Sequence, residues 1–433
     1  MPELVEILTE SNPWWANRGF ESGIQREKYI IKIKKCLENG DLTVLNGVRR
    51  SGKTTLLYQL IRGLIETEKV PPEKILFVNF ENPAFVFLEN PLQEVLEAYR
   101  RDVCSEKGTC LIFDEVQNLQ GWEEEIQALQ KINEHRIILS VSPSRLLDCK
   151  LMALMYGRYQ KIQVFPLDFS EYLLFREVLP GTKLNTEEAL KENKYRIMNL
   201  LKTYLHEGGF PRVVLEKEEI LKKEHLQGHF DGIMYRDIVL RSEVRNASVL
   251  QELVCHLLSD FTDSYSYRQL GNLLKLDFST LKEYIYYSGQ ANLLFEVQAF
   301  NPSGKTGGRK NKKIYCIDNG LRNSVASEVF ESESKLAENL VYIELMRRGC
   351  EAFYWENGKE GAHFVMEDDD GKLTALSVIY KDRIEPGEIK PILAFSKAFG
   401  ADVKELVLIT KDTEKEEDGI KYIPLWKWLL DSN

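Results

Sequence analysis

The sequence predicts an α/β fold in which a parallel sheet carries helices on both faces. Four short apolar segments are typical of strands buried in such a sheet: Leu42–Leu45, Ile75–Phe80, Thr109–Phe113 and Ile137–Ser142. Segments with helical periodicity lie between them, and this alternation is the one expected of a parallel sheet. The 433-residue chain is long enough for about two or three domains, each with its own core.

Composition narrows the class of protein. The net charge is -10 and the pI is near 5.4, so any contact with nucleic acid must come from a local basic patch. The seven cysteines are scattered and show no zinc-site spacing, which is typical of reduced thiols in a cytosolic protein. Neither a signal peptide nor a run of about 18 apolar residues is present. The sequence therefore predicts a cytoplasmic protein that does not associate with membranes.

A glycine-rich segment after the first predicted strand has the pattern G-x-x-x-x-G-K-[ST] of a phosphate-binding loop, or P-loop. A helical pattern follows it, as the motif requires, so that backbone N–H groups and a helix N-terminus face a polyphosphate. Lys53 is expected to reach the β- and γ-phosphates, and the Thr54 hydroxyl is expected to bind Mg²⁺. The residues predicted to bind a nucleoside triphosphate here are Gly47, Val48, Arg49, Arg50, Ser51, Gly52, Lys53, Thr54 and Thr55.

Two carboxylates, Asp114 and Glu115, end the third predicted strand. Downstream of a P-loop, this arrangement predicts that Asp114 holds Mg²⁺ together with Thr54. Glu115 is expected to orient and deprotonate the attacking water, which makes the predicted site hydrolytic. At the end of the fourth strand, Ser140 is a candidate to sense the γ-phosphate or to position water; an ordinary strand-end serine is the alternative.

Several motifs occur along the chain in a fixed order. They are Asn12-Pro13-Trp14-Trp15, Arg26 with Glu27-Lys28-Tyr29, the P-loop, Asp114-Glu115-Val116-Gln117 before Gly121-Trp122, Ser144-Arg145-Leu146-Leu147, Gly157-Arg158, Phe165-Pro166-Leu167-Asp168-Phe169-Ser170-Glu171-Tyr172 and Gly208-Gly209-Phe210-Pro211. In this order they resemble an archaeal and bacterial family of AAA-type ATPases, prokaryotic ATP-binding proteins with a C-terminal half of unknown function. The resemblance covers essentially the whole chain.

The resemblance implies a domain order. The fold would be α/β: a P-loop NTPase (AAA-type) parallel sheet, followed by a winged-helix-like segment and a C-terminal α/β restriction-endonuclease-like domain. The implied parts are an ATPase domain over 1–175, a helical lid or linker over 176–260, a winged-helix-like domain over 261–325 and the nuclease-like domain over 326–433.

Several residues receive roles only through this resemblance. Arg26 is expected near the base or ribose. Arg158 would reach the γ-phosphate of its own site or of a neighbour's, with a structural salt bridge as the alternative. Pro211 would close over the adenine ring and Gly209 would let the backbone approach it, unless the two form a plain turn. Where the family has Thr-Gly-Ser after the fourth strand, this chain has Ser-Val-Ser, and the valine weakens the sensor role of Ser140.

A basic cluster interrupts the acidic chain between two apolar runs, 292–297 and 313–317. With the helical patterns that precede it, near Tyr267–Lys275 and Ser279–Tyr287, the cluster is typical of the mobile loop of a winged helix. Such a loop would contact DNA phosphates with little base specificity; a solvated loop is the alternative. Its five cations are Lys305, Arg309, Lys310, Lys312 and Lys313.

The C-terminal segment has an incomplete nuclease signature. A nuclease of the implied fold needs carboxylates from a helix and a hairpin around divalent metal. Glu338 matches, but His363 stands where an aspartate is expected, and Ser377-Val378 stand where a glutamine or glutamate is expected. Because Mg²⁺ prefers hard oxygen ligands, the sequence predicts a scaffold or binding surface without nuclease activity.

Together these patterns predict an ATPase that uses ATP and Mg²⁺ and couples its nucleotide state to movement of a DNA- or protein-binding C-terminal half. The alternative is a slow nucleotide-dependent switch that acts through a protein partner without binding DNA. Self-association is left open by the sequence, as is the choice between a cis and a trans role for Arg158.

Overall fold

The computed structural model describes residues 4–40, 42–132, 134–142, 159–178, 192–301, 311–326, 333–358 and 360–431. The chain divides into two compact units, Met1–Val164 and Phe165–Asn433. Within the described ranges, no helix is both long enough and apolar enough to cross a bilayer.

The first unit is built on a five-stranded sheet. Its strands are β1 Leu42–Asn46, β2 Ile75–Asn79, β3 Thr109–Asp114, β4 His135–Val141 and β5 Tyr159–Gln163. Its described α-helices are α1 Leu4–Ser11, α2 Glu27–Glu38, α3 Lys53–Glu66, α4 Pro91–Asp102 and α5 Trp122–Ile132. The strand order is β2-β3-β4-β1-β5, and every pair is parallel. The predicted parallel sheet is therefore confirmed, with β5 as a strand that the sequence patterns did not predict.

Both faces of this sheet are covered, because successive side chains of a buried strand point to opposite faces. On β3, Leu111 and Phe113 belong to one apolar cluster, which also contains residues of α1, α4 and α5. Cys110 and Ile112 belong to a second cluster, with residues of α2 and α3. Since the carboxyl ends of parallel strands meet at one edge, the loop after β1 lies beside the ends of its neighbours in the sheet.

The second unit contains two sheets. A three-stranded antiparallel sheet has the order β6-β8-β7, and a six-stranded mixed sheet has the order β13-β14-β12-β11-β10-β9. The strands are β6 Ser264–Tyr265, β7 Leu294–Val297, β8 Lys312–Cys316, β9 Phe353–Asn357, β10 Glu360–Glu367, β11 Leu373–Ile379, β12 Val403–Thr410, β13 Lys415–Glu417 and β14 Ile420–Pro424. The mixed C-terminal sheet agrees with the predicted α/β class.

Helices make up much of the rest of the second unit. They are α6 Phe169–Phe175, α7 Lys194–Glu207, α8 Pro211–Leu215, α9 Glu219–Asp231 with a π-helical continuation Gly232–Val239, α10 Ala247–Ser259, α11 Tyr267–Leu274, α12 Phe278–Gln290, α13 Asn319–Val325, α14 Glu333–Arg347, α15 Pro386–Phe399 and α16 Leu425–Leu430. Thus α11, α12 and the β6-β8-β7 sheet lie within the segment 261–325.

Candidate nucleotide-binding site

The glycine-rich segment connects β1 to α3, which begins at Lys53. Gly52 precedes the helix with φ 99°, a left-handed conformation that glycine adopts at little cost. Gly47 is required for a different reason. A Cβ on Gly47 would lie 2.2 Å from the carbonyl oxygen of Val164, so close packing against the residue that follows β5 excludes a side chain here.

Lys53 extends its buried side chain into the loop. Its Nζ donates hydrogen bonds to the carbonyl oxygens of Gly47 at 3.0 Å and Val48 at 3.4 Å. It also donates to Oγ of Ser142 at 3.2 Å. The ammonium group is therefore held at the carboxyl ends of β1 and β4, where an incoming phosphate would exchange for the two carbonyl oxygens.

The two predicted metal ligands lie side by side. Oγ1 of Thr54 donates to Oδ2 of Asp114 at 2.7 Å, and Ser140 donates to the other oxygen of the same carboxylate. A hydroxyl and a carboxylate are the hard oxygen donors that Mg²⁺ takes alongside water and phosphate, so these residues fit the ion. Burial and the neighbouring Glu115 raise the pKa of Asp114 to about 6, against the hydrogen bonds from Ser140 and Thr54.

Glu115 has left-handed backbone, with φ 53°, a conformation that costs a non-glycine residue about 1–3 kcal/mol and is common at active sites. Its carboxylate accepts from Oγ of Ser142, at 3.0 and 2.9 Å to the two oxygens, and from the Gln117 amide. Burial alone would raise the pKa of Glu115, but Lys53, Arg49 and these hydrogen bonds lower it. The carboxylate is ionised at neutral pH, which is the form that accepts a proton.

The end of β4 contributes two serines, and the sequence singled out only the first of them as a site residue. Ser140 binds Asp114 and also accepts the Glu115 N–H at 3.1 Å, whereas Ser142 connects Lys53 to Glu115. Spacing of two along a strand places both hydroxyls on one side, a signal that could have identified Ser142. Val141 points the other way, into an apolar cluster, so the valine between the serines leaves the site's polar groups in place.

Three arginines lie near the loop in different environments. Nη1 of Arg49 bonds Oε1 of Glu81 at 2.9 Å, and Arg50 is exposed with φ 70°. Arg26 is only 3% exposed, and its Nη1 donates to the carbonyl oxygen of Ser51 at 2.9 Å. The structure therefore brings Arg26 to the P-loop backbone. Of the other predicted loop residues, Val48 is buried and Thr55 is exposed on α3.

Gly209 and Pro211 belong to the second unit, where local packing accounts for both residue types. The Gly209 N–H donates to Oδ2 of Asp318 at 2.6 Å, and its carbonyl accepts from the Leu167 N–H at 2.8 Å. A Cβ on Gly209 would lie 2.5 Å from the Leu167 oxygen. Pro211 is the first residue of α8, a position that favours proline. Their role at a nucleotide stays a prediction.

The predicted basic cluster is described only in part. Lys312 and Lys313 lie on β8, and each forms an ion pair with a carboxylate: Lys312 with Glu296, and Lys313 with Glu338 at 3.2 Å. Four other predicted site residues lie outside the described residues: Arg158, Lys305, Arg309 and Lys310. The two described cations thus already neutralise acidic groups of the protein.

At the incomplete nuclease signature, Glu338 is 6% exposed and forms an ion pair with Lys313. It accepts from Tyr315 Oη at 2.7 Å and from Lys313, and its Oε2 lies 3.4 Å from Nδ1 of His363. The Val378 N–H donates to that same Nδ1 at 3.1 Å, and burial lowers the pKa of His363, so the imidazole is neutral with its proton on Nε2. Among the residues with described positions, no group of three or more His, Cys, Asp or Glu side chains could hold a metal ion.

Comparison with known proteins supports the class of the first unit. Residues 39–173 match a family described as an AAA domain, and residues 198–332 match a domain of unknown function, DUF8612. Together with the parallel sheet, the P-loop and the two carboxylates, the first match supports an AAA-type class for the first unit. The family matched by the second unit has no known function.

Two relatives of similar length carry the description 'uncharacterized protein'. A protein of Methanocaldococcus jannaschii is 29% identical over 418 residues, which cover 92% of this chain and 90% of the relative. A protein of Haemophilus influenzae is 26% identical over 415 residues, covering 94% and 98%.

Two solved structures align more weakly. The Aeropyrum pernix ORC1 protein in complex with DNA aligns at a TM-score of 0.36 and 13% identity, covering 72% of this chain and 95% of that one. AMPPCP-bound DnaA from Aquifex aeolicus aligns at 0.27 and 17%, covering 64% and 91%.

Proposed function

We propose that the protein binds ATP together with Mg²⁺ at the P-loop and hydrolyses it. The observation that supports this most is the convergence of Lys53, Thr54, Asp114 and Glu115 at one edge of the sheet, through hydrogen bonds that link the start of α3 to the ends of β3 and β4. Each of these side chains has the charge state or donor type that its role requires.

Each of these residues would have a separate role in hydrolysis. Lys53 would exchange the Gly47 and Val48 carbonyl oxygens for phosphate oxygens and stabilise the charge that develops on them. Ionised Glu115 would take the proton from the attacking water, and Ser142 would hold that carboxylate in place. Thr54 and Asp114 would hold Mg²⁺, which when bound neutralises charge on the β- and γ-phosphates.

Two substitutions test this assignment. Glu115→Gln should retain ATP binding and slow turnover by about 10²–10⁴, the usual contribution of a general base. Lys53→Ala should abolish tight binding, because the phosphate cation is removed. Glu124→Gln on α5, an exposed glutamate, is the matched control and should behave as wild type. Normal turnover by Glu115→Gln would show that another group activates the water.

We further propose that the nucleotide state controls a DNA-binding surface in the second unit. In support, β6, α11, α12, β7 and β8 follow one another along the chain in the order of a winged helix, and a basic cluster lies between β7 and β8 in the sequence. Because Lys312 and Lys313 are engaged in ion pairs, the DNA contacts would come from the three other cations of the cluster, Lys305, Arg309 and Lys310.

Replacing these three cations by glutamine should weaken DNA binding about equally for all sequences. It should also reduce the slope of log affinity against log salt by about 0.9 for each phosphate that the variant no longer binds. A control with the same change in charge replaces three exposed lysines of α2, Lys28, Lys32 and Lys35. Equal DNA affinity of the two triple variants would show that the loop does not contact DNA.

Lys312 and Lys313 already form ion pairs within the protein. This favours a second candidate function, a slow switch that acts through a protein partner. In that case ATP turnover would be low and unaffected by DNA, and binding of the partner would depend on the bound nucleotide. Measuring steady-state turnover with and without DNA separates the two functions, since strong stimulation by DNA is expected only for the first.

A further inference from the structure

The segment that precedes α2 is attached to the P-loop helix through Gln59. This α3 side chain is 6% exposed, and its Nε2 donates to the carbonyl oxygens of Ser22 at 3.0 Å and Ile24 at 2.6 Å. Its Oε1 accepts the Arg26 N–H at 3.0 Å. Both ends of one amide therefore fix residues 22–26 against α3, and they bring the Arg26 side chain to the start of that helix.

The Arg26 guanidinium is buried against the P-loop. Its Cζ lies 4.5 Å from the centre of the Tyr29 ring, and its Nη1 binds the Ser51 carbonyl oxygen at 2.9 Å. Removing a guanidinium from water costs several kcal/mol unless it is well bound. The contact to the loop therefore helps to satisfy a buried charge.

This contact determines which way a phosphate-binding N–H points. In a trans peptide the carbonyl and the N–H of the next residue point in opposite directions, so a Ser51 carbonyl directed at Arg26 turns the Gly52 N–H away from Arg26. Gly52 lies at φ 99°, and glycine occupies positive and negative φ with similar ease. The peptide between residues 51 and 52 could therefore flip at small cost without an external hydrogen bond.

We propose that Arg26 is a positioning residue that holds the Ser51–Gly52 peptide with the Gly52 N–H facing the phosphates of the bound nucleotide. This inference rests on the proposed nucleotide binding and assigns Arg26 to the phosphate end of the ligand. A role near the base or ribose makes a different prediction. In that case, loss of Arg26 would weaken the binding of ATP but not of a polyphosphate that has neither base nor ribose.

Competition binding separates these roles. A fluorescent ATP analogue bound to the full-length protein is displaced by ATP and, separately, by inorganic tripolyphosphate. Arg26→Met, which removes the charge and the donors, should weaken both competitors by the same factor, about 10- to 150-fold for a charge-assisted hydrogen bond. Arg26→Lys, which keeps one charged donor, should recover part of the loss for both. Arg18→Met, an exposed arginine of the same segment, should match wild type.

Weaker ATP binding with unchanged tripolyphosphate binding would overturn the inference and favour a contact to the base or ribose. Unchanged binding of both ligands would also overturn it. If Arg26→Met does not fold, as judged by circular dichroism, the same comparison is made with Arg26→Lys, where equal factors are again expected. A wild-type protein that binds neither ligand would refute the proposed function itself, and this inference with it.

Discussion

Ser142 offers the sharpest test of how the site works. Its hydroxyl is fully buried, accepts from Lys53 at 3.2 Å and donates to Glu115 at 3.0 and 2.9 Å. Ser142→Ala removes these bonds and leaves the carboxylate with Gln117 as its side-chain donor and with Lys53 at 3.7 Å. The carboxylate would then no longer be held where it meets the attacking water.

The expected loss of rate can be estimated because both hydrogen-bond partners of the Ser142 hydroxyl, Lys53 and Glu115, are charged groups. A hydrogen bond to a charged group contributes about 1.5–3 kcal/mol, and each 1.4 kcal/mol corresponds to about a tenfold change in rate. Loss of the bond to Glu115 should therefore slow turnover about 10- to 150-fold. ATP affinity should change little, because Lys53 keeps its charge and its other contacts in the loop.

The assay is single-turnover hydrolysis at saturating ATP, with binding measured separately. Ser142→Thr, which retains the hydroxyl, should recover part of the rate. Ser140→Ala is the matched comparison on the same strand end. Because Ser140 binds Asp114, it should raise the Mg²⁺ concentration required for half-maximal activity. Turnover by Ser142→Ala within about twofold of wild type would refute the assignment of Ser142 as the residue that holds the base.

Two further outcomes are expected from the charges. As the pH falls from about 7.5 to about 5.5, Asp114 takes up a proton with a pKa of about 6, so Mg²⁺-dependent ATP binding should weaken in a titration of Mg²⁺ at each pH. Because the pKa of this carboxyl is raised in the folded protein, its protonation favours the folded state. Acid should therefore weaken Mg²⁺ binding without lowering the stability contributed by Asp114. A constant Mg²⁺ affinity over this pH range would contradict the prediction. Lys313→Met should lower the free energy of unfolding by about 3–5 kcal/mol in urea titrations, because Glu338 is left buried without its cation. Adding Glu338→Gln should recover part of that loss, and a loss below about 1 kcal/mol would indicate that the pair is solvated.

The features that the sequence determined are those encoded over a few consecutive residues. The P-loop motif, the Asp114-Glu115 pair and the alternation of apolar strands with helices could be recognised because each depends on local spacing. Even a local signal can mislead in detail: the second helical pattern before the basic cluster was placed at Ser279–Tyr287, whereas α12 begins at Phe278, and the side chain of its N-cap residue Asp277 accepts the N–H groups of Ser279 and Thr280.

The contacts that complete the site join residues far apart in the chain, and only the tertiary structure decided them. Ser142 reaches Lys53 across 89 positions and Arg26 reaches Ser51 across 25. Likewise, the sequence showed the charge of Lys313 but not its use, since Glu338 is 25 positions away. A charge pattern records which groups are present, whereas burial and the order of strands in the sheet determine which of them meet. That is why Lys53 and Glu115 could be proposed from sequence motifs, whereas the contacts that hold them in place could not be predicted.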